Sequence, residues 1–268
     1  MRADVHMHCG FSNDSETRPE DMVESAIAKG LSVICFTDHY DKDNLDWGDE
    51  AIFDVESYFQ KMIELQEEYR DQIDIRIGAE IGMQPYLAEY YQNFMAQHPF
   101  DFVIGSVHLI HGQDPYYRGF FEGRSDEEAY HEAFEVTVEN LKKIDSFDSL
   151  GHLDYVVRYG AHQAEGYSYR KYADEIDEIL KHLISHGKGL EMNMAGMNYG
   201  LGFPNPHPDV IRRYKELGGE IVTIGADAHR PEHVAFDFDK AGEILISCGF
   251  SYYAEFKGRK PIFKRIVP

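Results

Sequence analysis

The chain has 268 residues, a formal net charge of −22 and 43% hydrophobic side chains. This length suits one large α/β domain or two small ones, and the hydrophobic share is enough for a sizeable core. The acidic balance disfavours nucleic acid as a partner, because phosphate backbones require basic surfaces. No run approaches 18 apolar residues, and the N-terminus lacks the basic and apolar regions of a signal peptide. With only three cysteines, a disulfide framework is not expected, and we expect a cytoplasmic protein with no membrane partner.

Short apolar segments alternate with helical patterns along the whole chain. Residues 32–37 and 220–225 are nearly continuous apolar runs, which are typical of parallel strands buried on both faces. Ser125 and Glu128 have the spacing of a capping box and predict the start of a helix. The predicted strands are residues 3–7, 32–37, 73–81, 101–108, 147–151, 188–192 and 220–225. The predicted helices are residues 19–29, 55–70, 125–143 and 168–186.

No flexible linker, low-complexity tract or repeat divides the chain, so residues 1–268 are expected to form one domain. Alternating strands and helices predict a parallel α/β fold. Seven strands, one fewer than a complete barrel has, favour a distorted (β/α)7 TIM-like barrel. An open doubly wound sheet is the alternative. In a barrel, the chemistry is expected at the carboxyl ends of the strands.

His6 and His8 lie two residues apart on the first predicted strand. Side chains at this spacing point to the same side of a strand, so both imidazoles can enter one metal site. The alternatives are a polar strand face or the remnant of a purification tag. Similar residues recur at the ends of the later strands, which favours the metal site. They are His39, Glu80, His108, His152, Asp154, Glu191, Asn193, Asp227 and His229.

Imidazole and carboxylate without cysteine form the ligand set of hydrolytic zinc, manganese or iron centres. One ion cannot use so many ligands, so two or three divalent ions bridged by a carboxylate are expected. A water that bridges such ions has a lowered pKa and becomes a nucleophile near neutral pH.

In these motifs and their order, the chain resembles the polymerase-and-histidinol-phosphatase (PHP) family. Within that family it resembles the histidinol-phosphate phosphatases. The resemblance covers nearly the whole chain. The matching motifs are DVHMH (residues 4–8), FTDH (36–39), GAE (78–80), GSVH (105–108), GHLD (151–154) and GADAH (225–229).

The resemblance implies a trinuclear centre in a distorted seven-stranded barrel. Asp14 is the least specific of the implied ligands, because some relatives use histidine there and residues 12–15 also read as an ordinary turn. One ion is implied at His6, His8, Glu80 and Asp227, a second at Glu80, His108 and His152, and a third at Asp14, His39 and His229.

Arg158 resembles the basic residue that contacts phosphate in these phosphatases, and a surface arginine is the alternative. Asn193 and Asn198 belong to a segment that resembles the family's substrate loop. Asn198 stands where relatives commonly carry arginine, and Arg118 or Arg230 is the candidate to compensate. The candidate catalytic residues, including those that could protonate the leaving group, are His39, Asp154, Asp227 and His229. Asp154 has the alternative role of orienting His152 or an arginine. The paired aromatics at 116–117 and 120–121 either line a substrate pocket or pack internally.

The resemblance implies hydrolysis of a small phosphomonoester by a metal-bridging hydroxide. L-histidinol phosphate, an intermediate of histidine biosynthesis, is the first expectation for the substrate. Alternatives are another small phosphate ester (a nucleotide, a sugar phosphate or phosphotyrosine) and a catalytically silent metal-binding module. The oligomeric state is left open.

Overall fold

A sheet of parallel strands lies at the centre of the computed structural model, which describes residues 1–267. Every pairing within this sheet is parallel, and a separate antiparallel hairpin follows it. The strands are β1 (Ala3–Met7), β2 (Val33–Phe36), β3 (His39–Tyr40), β4 (Asp74–Gly82), β5 (Phe102–Ser106), β6 (Ser149–Leu150), β7 (Gly189–Asn193), β8 (Val222–Gly225), β9 (Tyr252–Lys257) and β10 (Lys260–Arg265).

The sheet closes on itself almost completely. Its strands follow the chain in the order β1-β2-β4-β5-β6-β7-β8, and β3 pairs with β4 just beyond the end of β2. Met7 forms a parallel bridge with Ala228, and the His8 amide donates to the Ala228 carbonyl at 2.8 Å. The first and last strands therefore meet at their carboxyl ends. This confirms the distorted barrel and excludes the open doubly wound sheet, in which the strand order reverses.

Helices cover the outside of the barrel. Three of the four predicted helices are confirmed within one or two residues at each end. The fourth begins at Ala173 instead of Ser168, because Tyr169–Tyr172 forms a 3-10 turn. The helices are α1 (Pro19–Ala28), α2 (Val55–Glu68), α3 (Ala88–Gln97), α4 (Asp126–Leu141), α5 (Ala173–Ser185), α6 (Ala195–Asn198), α7 (Pro208–Glu216) and α8 (Phe238–Ser247). In the part of the chain that the structure describes, none is long and apolar enough to span a bilayer.

The β9–β10 hairpin packs beside the amino end of β5, away from the carboxyl ends of the strands. Phe256 stacks on Phe102, with ring centroids 4.9 Å apart. Arg259 pairs with Asp148, which lies immediately before β6. The hairpin therefore buries the amino end of the barrel and leaves the other end open.

The predicted capping box at the start of α4 is present. The Ser125 hydroxyl accepts from the Glu128 amide, and the Glu128 carboxylate accepts from the Ser125 amide at 2.8 Å. Replacing Ser125 with alanine should lower the free energy of unfolding by about 1 kcal/mol, because an exposed helix end loses its side-chain acceptor. Urea unfolding measures this change. Ser125→Asp, which keeps an acceptor, should stay close to wild type, and equal losses in both variants would contradict the capping role.

Candidate metal centre

The carboxyl ends of the strands bring all nine predicted ligand residues into one cluster. His6 and His8 are fully buried on and just after β1, with their Nε2 atoms 3.1 Å apart. The nine residues, which we call the histidine–carboxylate cluster, are His6, His8, Asp14, His39, Glu80, His108, His152, Asp227 and His229.

Glu80 lies at the middle of the cluster, near the carboxyl end of β4. Its Oε2 is 3.2 Å from Nε2 of His6 and 3.1 Å from Nδ1 of His39. Its Oε1 is 2.9 Å from Nε2 of His152 and 3.3 Å from Nε2 of His108. One carboxylate therefore faces four imidazoles that come from different segments, as a bridging ligand must.

Two aspartates complete the cluster. Asp227 Oδ1 is 3.3 Å from Nε2 of His8 and 3.6 Å from Nε2 of His6. Asp14 is the most exposed member, and its Oδ2 is 3.0 Å from Nε2 of His229 and 3.6 Å from Nε2 of His39. The loop after β1 thus brings Asp14 to the cluster. A ligand role for Asp14 requires this position, whereas an ordinary turn does not.

The chemistry of the cluster fits divalent metal ions. Nδ1 of His39 and Nε2 of His229 are buried, and their contacts with Glu80 at 3.1 Å and Asp14 at 3.0 Å lack the geometry of a hydrogen bond. Burial, together with the imidazoles of His229 and His39, lowers the pKa of His8 to about 3. Three sets of donors each lie within 4.8 Å of one another: His8, His39 and His229; His6, His8 and Glu80; and His39, Glu80 and His108. Converging nitrogen and oxygen donors without hydrogen-bond partners are costly to bury unless a cation joins them.

Outer hydrogen bonds fix which nitrogen of each ring faces the cluster. Glu191 Oε1 lies 2.5 Å from Nδ1 of His6, and Asp41 Oδ2 lies 2.7 Å from Nδ1 of His108. Nδ1 of His8 lies 3.0 Å from the Ser12 hydroxyl. Each contact leaves Nε2 of the ring aimed at the cluster, as the outer partners of metal-bound histidines do.

The sequence analysis did not assign these orienting roles to Asp41, Glu191 and Ser12. Glu191 carried a detectable signal, because a carboxylate stands inside the buried strand β7. Asp41 carried none, since it lies in an acidic loop, residues 41–50, that has no periodic pattern of apolar residues.

Arg158 is buried beside the cluster, with 4% of its surface exposed, so the surface-arginine alternative is wrong. Its Nε donates to Asn205 Oδ1 at 2.9 Å, and its Nη2 donates to Asn193 Oδ1 at 3.1 Å. Its Nη1 donates to Asp227 Oδ2 at 3.3 Å. Three acceptors thus hold the guanidinium in one orientation.

Two sequence-based expectations need correction here. Asp154 is fully buried and does not line the cavity: its carboxylate accepts from the Asn205 side chain at 2.6 Å and from the His207 amide at 2.9 Å. This position favours the alternative role of Asp154, that of orienting Asn205 against Arg158, over protonation of a leaving group. Asn193 is also absent from the cavity lining, because its amide oxygen is occupied by Arg158.

A cavity of about 670 Å³ opens over the cluster. Asn198 and Arg230 line it, whereas Arg118 is not among the lining residues. Tyr116 and Tyr117 line it too, while Phe120 is buried in the core. A second guanidinium is thus present in the cavity although Asn198 supplies none.

Residues 4–195 match the family model described as PHP domain. The chain belongs to the PHP domain family. It is 35% identical to a histidinol-phosphatase of Lactococcus lactis subsp. lactis over 266 residues, which cover 97% of this chain and 96% of that protein. It is 31% identical to a probable histidinol-phosphatase of Clostridium acetobutylicum over 269 residues, which cover 100% and 99% of the two chains.

A crystal structure of histidinol phosphate phosphatase from Lactococcus lactis, complexed with zinc, L-histidinol and phosphate, has the same fold. The match has a TM-score of 0.89 at 33% identity and covers 97% of this chain and 98% of the other. A putative histidinol phosphatase from Listeria monocytogenes matches with a TM-score of 0.77 at 17% identity, which supports the fold alone. This PHP chain is accordingly a homologue of metal-dependent histidinol-phosphatases.

Proposed function

We propose that this PHP protein hydrolyses L-histidinol phosphate to L-histidinol and phosphate, as a step of histidine biosynthesis. The position of the buried Arg158 beside the histidine–carboxylate cluster carries the proposal. This arrangement joins a fixed guanidinium to a metal-competent centre in one cavity, as a phosphate monoester needs for its nonbridging oxygens. The similar histidinol-phosphatases support the choice of substrate.

We propose that the cluster holds two or three divalent ions, with zinc, manganese and iron as the candidates. Three ligand sets would hold them: His6, His8, Glu80 and Asp227; Glu80, His108 and His152; and Asp14, His39 and His229. When bound, the ions supply positive charge for the phosphoryl oxygens and lower the pKa of a coordinated water. Glu80 faces histidines of all three sets, so it is the proposed bridge.

Arg158 would bind the phosphate and orient it toward the cluster. Because Asn193, Asn205 and Asp227 already fix the guanidinium, little side-chain freedom is lost when the substrate arrives. Of the four residues expected to act in catalysis, His39, Asp227 and His229 line the cavity. We propose that the proton for the leaving alkoxide passes through this group of three, which excludes Asp154.

The experiment is phosphate release from L-histidinol phosphate by zinc- or manganese-loaded protein, with nucleotides, sugar phosphates and phosphotyrosine alongside. A strong preference for L-histidinol phosphate supports the proposal. If only the other esters are hydrolysed, the protein is a phosphatase with a different substrate. Asn198 in the cavity is the observation that favours this second candidate. The absence of turnover on every ester would contradict both and favour the silent module.

Replacing Asp154 with asparagine tests its positioning role. The NH2 group of the asparagine would point at either the Asn205 side-chain amide or the His207 backbone amide, and both of these are donors. Asn205 should therefore turn and release Arg158. We expect kcat/KM to fall about tenfold, mainly through KM, with unchanged metal content. Steady-state kinetics and elemental analysis measure this. A loss of kcat alone, with KM unchanged, would restore Asp154 as a proton donor.

A further inference from the structure

Exposed apolar side chains are concentrated in the last part of the chain. Among residues 1–267, eleven large hydrophobic residues are exposed, and five of these lie between positions 246 and 267. Single exposed apolar residues are ordinary on a protein surface, whereas a group of them marks a surface that binds a partner. We call these five residues the apolar patch: Ile246, Tyr252, Ile262, Phe263 and Val267.

The β9–β10 hairpin and α8 bring the apolar patch together, far from the cavity. Tyr252 pairs with Arg265, and Phe263 lies two residues before Arg265, so Tyr252 and Phe263 share one face of the hairpin. Helix α8 lies beside the residue that follows β10, because a Cβ atom at Gly242 would be 3.6 Å from Cγ2 of Ile266. No residue of the patch lines the cavity. The patch therefore has no part in the proposed reaction.

The hairpin carries a charge opposite to that of the rest of the chain. Residues 252–265 contain five Lys or Arg and one Glu, a net charge of +4, so the remaining residues carry −26. Lys257, Arg259 and Lys264 each have a carboxylate nearby. Lys260 and Arg265 are exposed and form no ion pair within the described chain. The hairpin thus offers free positive charge beside apolar side chains.

An acidic helix face lies next to this basic hairpin. Asp239, Glu243 and Ile246 follow one another at spacings of four and three residues, so they share one exposed face of α8. In the part of the chain that the structure describes, neither carboxylate forms an ion pair, since the one cation nearby on α8, Lys240, pairs with Asp237. This surface therefore carries unpaired charges of both signs around an apolar centre.

These features favour one kind of partner. The edge of β10 does not suit a further strand, because Pro261 has no amide hydrogen and Lys260 and Lys264 repel a second strand of the same kind. An anionic lipid surface would be repelled by the carboxylates of α8. A second copy of this chain fits both charges, because a two-fold axis brings each patch against itself in the opposite direction.

We propose that two copies of this chain associate about a two-fold axis, with β10 of each copy against α8 of the other. The cations of each β10 would pair with the carboxylates of the opposite α8, while Phe263 and Ile246 would form the apolar centre. The arrangement leaves both cavities open, since the hairpin lies at the amino end of the barrel. This inference does not depend on the proposed function.

Sedimentation velocity of the full chain from about 1 to 100 µM tests the association. Wild type should have twice the mass of one chain, which is 30.9 kDa. Phe263→Asp should weaken the dimer about 30-fold or more, because a charge replaces an apolar contact at its centre. Ile63→Asp is the matched control, since Ile63 is 50% exposed on α2, outside the patch. Monomeric wild type, or equal dimerisation of wild type and Phe263→Asp, would overturn the proposal.

Charge reversal tests which elements face each other. One variant carries Lys260→Glu and Arg265→Glu, and the other carries Asp239→Lys and Glu243→Lys. Each variant alone should be monomeric, because like charges would meet at both contacts. Their equimolar mixture should form dimers again, since β10 and α8 then carry opposite charges at both contacts.

A mixture that stays monomeric would overturn the pairing of β10 with α8. Circular dichroism checks that each variant is folded. Flotation with vesicles that contain phosphatidylserine examines the other partner: wild type that binds these vesicles and remains monomeric would assign the patch to a membrane surface and overturn the dimer.

Discussion

Replacing Glu80 with glutamine is expected to abolish most of the phosphatase activity and to reduce bound metal. Glu80 faces His6, His39, His108 and His152 with its two oxygens, and glutamine would present a donor to half of them. We expect kcat/KM to fall by about 10³-fold or more, because Glu80 belongs to two of the three proposed ligand sets and faces His39 of the third. Steady-state kinetics and elemental analysis of the dialysed protein measure both effects.

Glu255→Gln is the control for this substitution. Glu255 is also buried, with 2% of its surface exposed, but it lies on β9 in the C-terminal hairpin rather than in the cluster. The control should keep its metal and activity. Full metal content with normal turnover in Glu80→Gln would remove Glu80 from the centre, and a drop in both variants would indicate a general loss of folding.

The convergence of the cluster could be predicted from the sequence because strand geometry alone dictates it. Parallel strands end on the same side of a barrel, so polar residues after each apolar run must meet there. His108 and Asp227 follow this rule directly. Asp41 does not, since it lies in a loop whose path depends on packing against other loops. Its spacing to the strands carries no periodic signal.

The unpredicted parts of the fold have physical reasons of the same kind. Helix α3 is rich in tyrosine and phenylalanine, which favour strands as readily as helices when only ten residues are available. Strand β10 is exposed along its entire length, so no alternation of buried and exposed positions could reveal it. The hairpin contacts the barrel through Phe256, which packs on Phe102 in a distant part of the chain.

The position of Asp154 shows where a motif misleads. The GHLD motif places His152 and Asp154 two residues apart, which on a continuing strand would aim both into the cavity. Strand β6 ends at Leu150, and the chain then turns into a 3-10 helix that spans Tyr155–Arg158. The turn sends Asp154 outward to Asn205 and brings Arg158 inward. The motif therefore supplies one cluster residue and the support for the arginine.

Because three acceptors hold its guanidinium in place, Arg158 is expected to contribute strongly to phosphate binding. Arg158→Ala should lower kcat/KM for L-histidinol phosphate by about 10²-fold, or ~3 kcal/mol, because the phosphate loses a preoriented double donor in a site shielded from water. Arg158→Lys should recover part of the loss at most, since one ammonium cannot replace a fork that is held by three acceptors. The loss should appear as a raised KM and as weaker inhibition by inorganic phosphate.

A structural role for Arg158 makes a different prediction. Removing it leaves the buried acceptors of Asn193, Asn205 and Asp227 without their donor, which costs about 1–3 kcal/mol of stability. Thermal unfolding and metal content measure that cost separately from activity. Added guanidinium should restore turnover to Arg158→Ala if the missing group acts on the phosphate, because the substitution leaves space of the right shape beside Asn193 and Asn205. A different result would show that Arg158 orients Asp227 and does not bind the substrate. In that case activity stays low with added guanidinium, although metal content and Tm are normal and inhibition by phosphate is unchanged.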